Sequence, residues 1–146
     1  MPLGDIGKVV KPMLTVLNAL LVDRIERFDN GRIDLIDIGL HRDLMFDSLP
    51  VTWEGMYLFF ELSIPDSLRG QRVHVYFGIL DPDGQVIREP DQFPVLLPTL
   101  ERYDGKSLPF DYPVPPLLLR LPGTYIIRVH TSEEILRDVP FEVHIR

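Results

Sequence analysis

Cysteine is absent from this 146-residue chain. Without it there is no disulfide, no thiolate nucleophile, no iron–sulfur cluster and no cysteine-ligated zinc. Lysine is scarce, with Lys8, Lys11 and Lys106 the complete set, and the formal net charge is −7 with a pI near 5.0. A phosphate backbone is bound by clustered Lys and Arg that displace its counterions, so nucleic acid is not an expected partner. Membrane-spanning runs are missing too: the apolar stretch at 13–22 falls short of the ~20 residues that cross a bilayer. It is also a poor secretion signal, because Asp5 precedes it, Asn18 interrupts it and Asp23 and Arg24 stand where small residues belong. The expected location is the cytoplasm, with no membrane partner.

Catalytic signatures are equally sparse. The serines at 48, 63, 67, 107 and 132 lie in no Gly-x-Ser-x-Gly elbow, and no glycine loop of the phosphate or dinucleotide type occurs. The chain is therefore read as a non-enzyme that uses no cofactor.

What is present is the composition of one folded domain: 45% hydrophobic and 25% charged residues, far from the balance that leaves chains disordered. Residues 1–12 hold two glycines and two prolines without a regular period and read as an arm, leaving 13–146 as the domain. The segment 13–25 fits a buried strand, because Asp29-Asn30-Gly31 after it is a hairpin turn that needs strands on both sides. Downstream, Ile36, Ile38 and Leu40 alternate with polar or small residues.

The strongest strands are 56–64 and 72–80, rich in aromatic and β-branched residues. Asp81-Pro82-Asp83-Gly84 turns the chain back, and further strands follow at 117–121, 124–130 and 139–145. Between them, 89–116 carries prolines at 90, 94, 98, 109, 113, 115 and 116 and reads as mostly loop or sheet edge, with a short strand at 93–97. Seven to eight strands without an amphipathic helix predict an all-β, antiparallel immunoglobulin-like β-sandwich.

Three segments in this order, LLVDRIERFDNGRIDLIDIG, LDPDGQVI and LPGTYIIRVHTSEEILRDVPFEVHI, give the chain a resemblance that covers about residues 13–146. It resembles a family of small, uncharacterised bacterial β-sandwich proteins, which implies the fold and transfers no functional residue.

Strand phase sends His74, His130 and His144 outward, and a zinc site of three histidines would require their strands to be neighbours. Solvated histidines are the simpler expectation, because no His-x-His spacing is present. Asp81-x-Asp83-Gly84 begins like a calcium loop, but its glycine comes too early and the twelfth position lacks Glu, leaving turn chemistry. The acidic residues at 23, 29, 34, 37, 43 and 47 scatter over strand, turn and loop and read as solvated faces.

Trp53, Phe93, Tyr103, Phe110 and Tyr112 lie in or beside the proline-rich segment and are the candidate interface, since such rings bury large area at small entropic cost. The alternative is that they close the ends of the sandwich. The expected function is a protein-binding or assembly module that contacts a protein partner, or a second copy, through 89–116 and the arm. A small-ligand or carbohydrate-binding sandwich, or a metal-dependent enzyme using the surface histidines, is the competing reading.

Overall fold

In β-rich sequences the side chains that alternate along each strand decide which face is buried. The computed structural model describes residues 14–146, so the expected arm at 1–12 lies outside the described residues. Twelve strands occur among the described residues: β1 (Val16–Val22), β2 (Arg24–Arg27), β3 (Ile33–Ile36), β4 (Asp43–Phe46), β5 (Val51–Trp53), β6 (Tyr57–Ser63), β7 (Arg72–Leu80), β8 (Val86–Leu96), β9 (Ser107–Pro113), β10 (Leu117–Leu119), β11 (Gly123–His130) and β12 (Ile135–Ile145). A five-stranded sheet runs β4-β12-β11-β7-β8, and a three-stranded sheet runs β1-β6-β9. Every neighbouring pair in them is antiparallel except β4 with β12.

Leu58, Phe60 and Leu62 of β6 meet Val75, Phe77 and Ile79 of β7, Tyr125, Ile127 and Val129 of β11, and Phe141 and Val143 of β12 in one core between the sheets. The architecture is an immunoglobulin-like sandwich. A tyrosine corner of the kind found in that fold closes one end: buried Tyr125 donates its hydroxyl hydrogen to the Leu121 carbonyl at 2.8 Å and accepts the Leu121 N–H at 3.2 Å.

The strand count exceeds the expected seven to eight because β4 and β5, of four and three residues, are too short for a reading by long apolar runs, and β9 lies in the proline-rich segment. The β2–β3 hairpin turns as anticipated at Asp29-Asn30-Gly31, where Gly31 takes φ 86°. Short β5 and β10 form a two-stranded ribbon, and β4 adds to the sheet edge. The alternation at Ile36, Ile38 and Leu40 does not continue the strand: β3 ends at Ile36, and Ile38 and Leu40 are exposed.

The proline-rich segment takes the edge alternative more than the loop one. Residues 89–116 do not form one long loop: β8 runs to Leu96, β9 occupies Ser107–Pro113, and only 97–106 is an irregular connection between them. Both strands are sheet edges. Pro90 with Pro94, and Pro109 with Pro113, repeat at four-residue spacing, which places each missing N–H on the same side of its strand. An edge strand needs ladder donors on one side alone, and proline on the other discourages further strand addition.

Candidate functional site

His74, Tyr76, Gly78 and Leu80 of β7 share the outer face, opposite in phase to Val75, Phe77 and Ile79, and Gly78 is itself buried there between the His130 and Pro90 side chains. Glycine here removes a side chain from the middle of a sheet face, and a bare position in a strand marks a place where another group can approach closely. The result is a groove of about 550 Å³ over Gly78. Leu80, Val86 and Pro90 line one side, and Arg128, His130 and Ile135 the other. Its rim is apolar and solvent-facing, with Val86 59% and Ile135 54% exposed.

Two polar side chains border this floor. Arg128 makes a bidentate pair with Asp138 across β11 and β12, at 2.9 and 3.0 Å. The hydrogen bonds to Asp138 hold its guanidinium above the ordinary value, so the charge is permanent and partly neutralised in place. His130 stacks on Tyr76, with ring centroids 5.2 Å apart and an interplanar angle of 11°. Its Nδ1 lies 3.0 Å from the Thr131 carbonyl oxygen, which only accepts, so Nδ1 carries the hydrogen. Nε2 then offers a lone pair, 3.8 Å from where a Cβ on Gly78 would sit.

A second groove, of about 340 Å³, lies across the turn at 131–134. Leu14, Leu68, Val73 and Tyr76 supply its apolar lining, with Arg72 and His74 beside them. The turn that separates the grooves is held by Thr131, whose Oγ1 accepts the N–H groups of Glu133 and Glu134 at 3.2 Å each.

The five candidate interface aromatics divide. Tyr112 is buried, 1% exposed, and stacks on Phe77 with centroids 4.1 Å apart. Phe93 and Phe110 are half-buried in the same cluster and meet edge to face at 6.3 Å. The sequence placed these three rings in a segment read as loop or sheet edge, with Phe93 opening a short strand at 93–97. On edge strands their alternate positions point inward, so they pack between the sheets, and Tyr112 is corrected from contact surface to core.

Trp53 packs at 5.4 Å from His41 and 5.6 Å from Phe46. Tyr103 alone is exposed. It sits in the connection at 97–106 and donates its hydroxyl hydrogen to the Ser107 carbonyl at 2.6 Å.

Sequence reading missed the residue that organises that connection. Arg69, its side chain 6% exposed, donates to the carbonyl oxygens of Pro98, Tyr103 and Gly105. Nothing in the sequence flags this arginine among twelve, because apart from Asp66 three residues upstream its partners are backbone atoms some thirty residues away. Gly78 did carry a signal, as the lone glycine in a strand of large residues. His41 is buried at 3% exposure with Nε2 3.1 Å from Asp23 Oδ1.

The surface histidines do not converge. His74 bonds Gln92 at 2.9 Å, His130 stacks on Tyr76, and His144 lies 3.4 Å from Asp43. Along β12, Ile135 pairs with His130 while His144 pairs with Met45. Nine residues of strand separate those positions, roughly 30 Å at extended rise. No cluster of three or more metal-ligating side chains occurs among the described residues. Asp81 Oδ1 accepts the N–H groups of Asp83 and Gln85 at 2.9 Å, so the calcium-like sequence is a turn. No helix among the described residues is long and apolar enough to cross a membrane.

A family model described as a family of unknown function, DUF6941, matches residues 17–144. No curated protein sequence matches this chain. Similar solved structures include a β-glucosidase from Listeria innocua in complex with isofagomine, with a TM-score of 0.47 and 11% identity, covering 90% of this chain and 16% of that one. A Pseudomonas fluorescens alkylpurine DNA glycosylase bound to DNA containing an abasic site analog gives 0.47 and 11%, covering 90% and 30%. An immunoglobulin-like protein from Pseudomonas aeruginosa gives 0.34 and 11%, covering 90% and 96%. The chain thus spans less than a third of the first two proteins.

Proposed function

The chain belongs to DUF6941, a family of unknown function, and we propose that it is a non-enzymatic binding module that takes a protein partner on the outer face of its five-stranded sheet. The carrying observation is the groove over Gly78, rimmed by exposed Val86 and Ile135 on a rigid, hydrogen-bonded sheet. An apolar side chain of a partner fits this floor, and covering Val86 and Ile135 contributes at most about 1.5–3 kcal/mol each. Arg128 and His130 add a cation and an acceptor at the border, the mixture of apolar centre and polar rim that protein interfaces use. Support for a protein over a small ligand comes from the exposure of the rim, since small-ligand sites enclose most of their ligand's surface.

The test uses Gly78→Val. A Cβ at this position meets nothing nearer than the His130 and Pro90 side chains at 3.8 Å, so the first carbon enters without a clash and valine's two methyl groups take up the space between those neighbours. A valine also suits a strand better than glycine. Cross-linked capture from the native host is run with wild-type and Gly78→Val baits of equal thermal stability. A partner held by the wild type through contacts at Val86 or Ile135, and lost from Gly78→Val, supports the reading. Identical captures by both baits sink it.

A further inference from the structure

We propose that a third cleft, between β1 and the first half of β12, binds a small free carboxylic acid as its anion. Arg42 and Arg137 take the carboxylate, and Leu20, Ile38 and Pro140 take a short aliphatic body. The proposal does not rest on the groove over Gly78. The cleft encloses about 250 Å³. It exists because β12 pairs with β4 only at 142–145, so residues 135–141 have β11 on one side and no strand on the other. The opposite wall, β1, has a bulge between Leu17 and Leu20, and bulges re-aim side chains; Ala19 and Leu20 line the cleft. The turn at 37–42 forms the third wall, anchored to β1 by the Gly39 N–H, which donates to the Leu21 carbonyl at 2.8 Å. The two non-glycine residues with positive φ among the described residues, Asn18 at 51° and Asp37 at 54°, stand immediately before Ala19 and Ile38. Backbone held in that sparsely populated region clusters at ligand sites.

Charge selects the ligand. Seven of the chain's twelve arginines pair with a carboxylate among the described residues. Arg42 and Arg137 do not, and both border this cleft. The Arg42 side chain has no hydrogen-bond acceptor among the described residues. Its Cδ lies 3.5 Å from where a Cβ on Gly39 would sit, so glycine at φ 82° lets the stem lie along the turn. Arg137 reaches the Val16 carbonyl through Nη1 alone, at 3.5 Å, the outer limit of a hydrogen bond. The one carboxylate in the lining, Asp138, is already held by Arg128. Two guanidiniums with open donors match a carboxylate, on a chain whose net charge is −7. A bare inorganic anion would leave Leu20, Ile38 and Pro140 without a partner. At ~30 Å³ per water the cleft has room for roughly eight non-hydrogen atoms.

4-Methylpentanoate has that size. It is titrated to ~20 mM into the full-length, isotope-labelled protein at low salt, and the arginine Nε–H signals are followed by NMR. The expected result is a saturable shift at Arg42 and Arg137 with a Kd in the ~mM range. Arg42→Gln and Arg137→Gln should each weaken binding by about tenfold or more. Both arginines are exposed, so the variants keep the fold, which the remaining amide signals verify. Arg120→Gln, at an exposed arginine outside the cleft, should bind as wild type does. The neutral 4-methylpentanamide, lacking the charge, and acetate, lacking the body, should each bind about tenfold more weakly or worse.

No saturable shift with 4-methylpentanoate would overturn the proposal. Equal binding of inorganic phosphate or acetate would overturn it too, by reducing the cleft to a general anion site. Much tighter binding of N-acetyl-glycyl-leucine would do the same, by assigning the arginines to the carboxylate end of a protein chain.

Discussion

Tyr112 on β9 and Asp91 on β8 join the two sheets at their open side, the phenol donating its hydrogen to the Asp91 carboxylate across 2.5 Å. Each belongs to the edge strand of a different sheet. Asp91 is paired in register with Phe77, so an edge-strand carboxylate is turned toward the core instead of solvent. Arg88 stands 3.7 Å from the same carboxylate and offsets its charge. The bond acts as a clasp over the stack of Tyr112 on Phe77.

Removing the clasp should be costly and pH-dependent. Burial, with the Asp91 carboxylate beside it, pushes the Tyr112 phenol well above its ordinary 10.0. The unfolded chain releases this proton near pH 10 and the folded chain keeps it, so this residue's stabilising contribution is complete below pH 10 and is lost as pH rises. Urea denaturation of wild type should lose about 1.4 kcal/mol more per pH unit above pH 10 than Tyr112→Phe. At neutral pH the Phe variant, which keeps the stack, should lose ~1.5–3 kcal/mol for a hydrogen bond to a charged group. Parallel pH profiles for the two proteins would refute the clasp.

Tyr125→Phe should lower stability by ~1–3 kcal/mol, because it leaves the Leu121 N–H and carbonyl without their partner at a partly buried corner. Ring packing against Phe141, at 5.3 Å, is retained in this variant. The unfolding free energy measures the hydroxyl's contribution, and an unchanged midpoint would show that water replaces it.

Arg69→Met keeps much of the buried stem and removes the donors to three carbonyls. Amide hydrogen exchange across 97–106 should accelerate by about tenfold or more, the equivalent of a loss of ~1.4 kcal/mol or more in local stability. Arg69→Lys should not restore protection, because one ammonium cannot reproduce a planar fork spread over the Pro98, Tyr103 and Gly105 carbonyls. Full protection in the Lys variant would mean that charge alone organises the connection.

His41 makes its one side-chain hydrogen bond, among the described residues, to Asp23, while His41 Nδ1 and Trp53 Nε1 are buried without a partner. Asp23→Ala should therefore destabilise by ~1–3 kcal/mol by leaving a second imidazole nitrogen unsatisfied. His41→Phe should cost less than Asp23→Ala, since it removes the polar atoms together with their need for partners. Thermal denaturation of the two variants decides the order, and the reverse ranking would show that the imidazole is fully satisfied.

Local pattern alone determined much of this protein. The alternation in β6, β7, β11 and β12 fixed which side chains are buried, and Asn30-Gly31 and Asp81-Pro82-Asp83-Gly84 fixed two turns, because period and turn chemistry act within a few residues. Proline in β8 and β9 was read correctly as a mark of loop or edge, but only the partner strands decided between them. A missing N–H is tolerated wherever the ladder is one-sided.

The burial of Tyr112, the inward turn of Asp91 and the capture of three carbonyls by Arg69 were decided by tertiary structure. Each depends on a group twenty or more residues away whose position no local spacing encodes. The groove over Gly78 is of both kinds. The sequence placed a glycine inside a strand of bulky residues, and the sheet order then set Pro90 and His130 on either side of the gap.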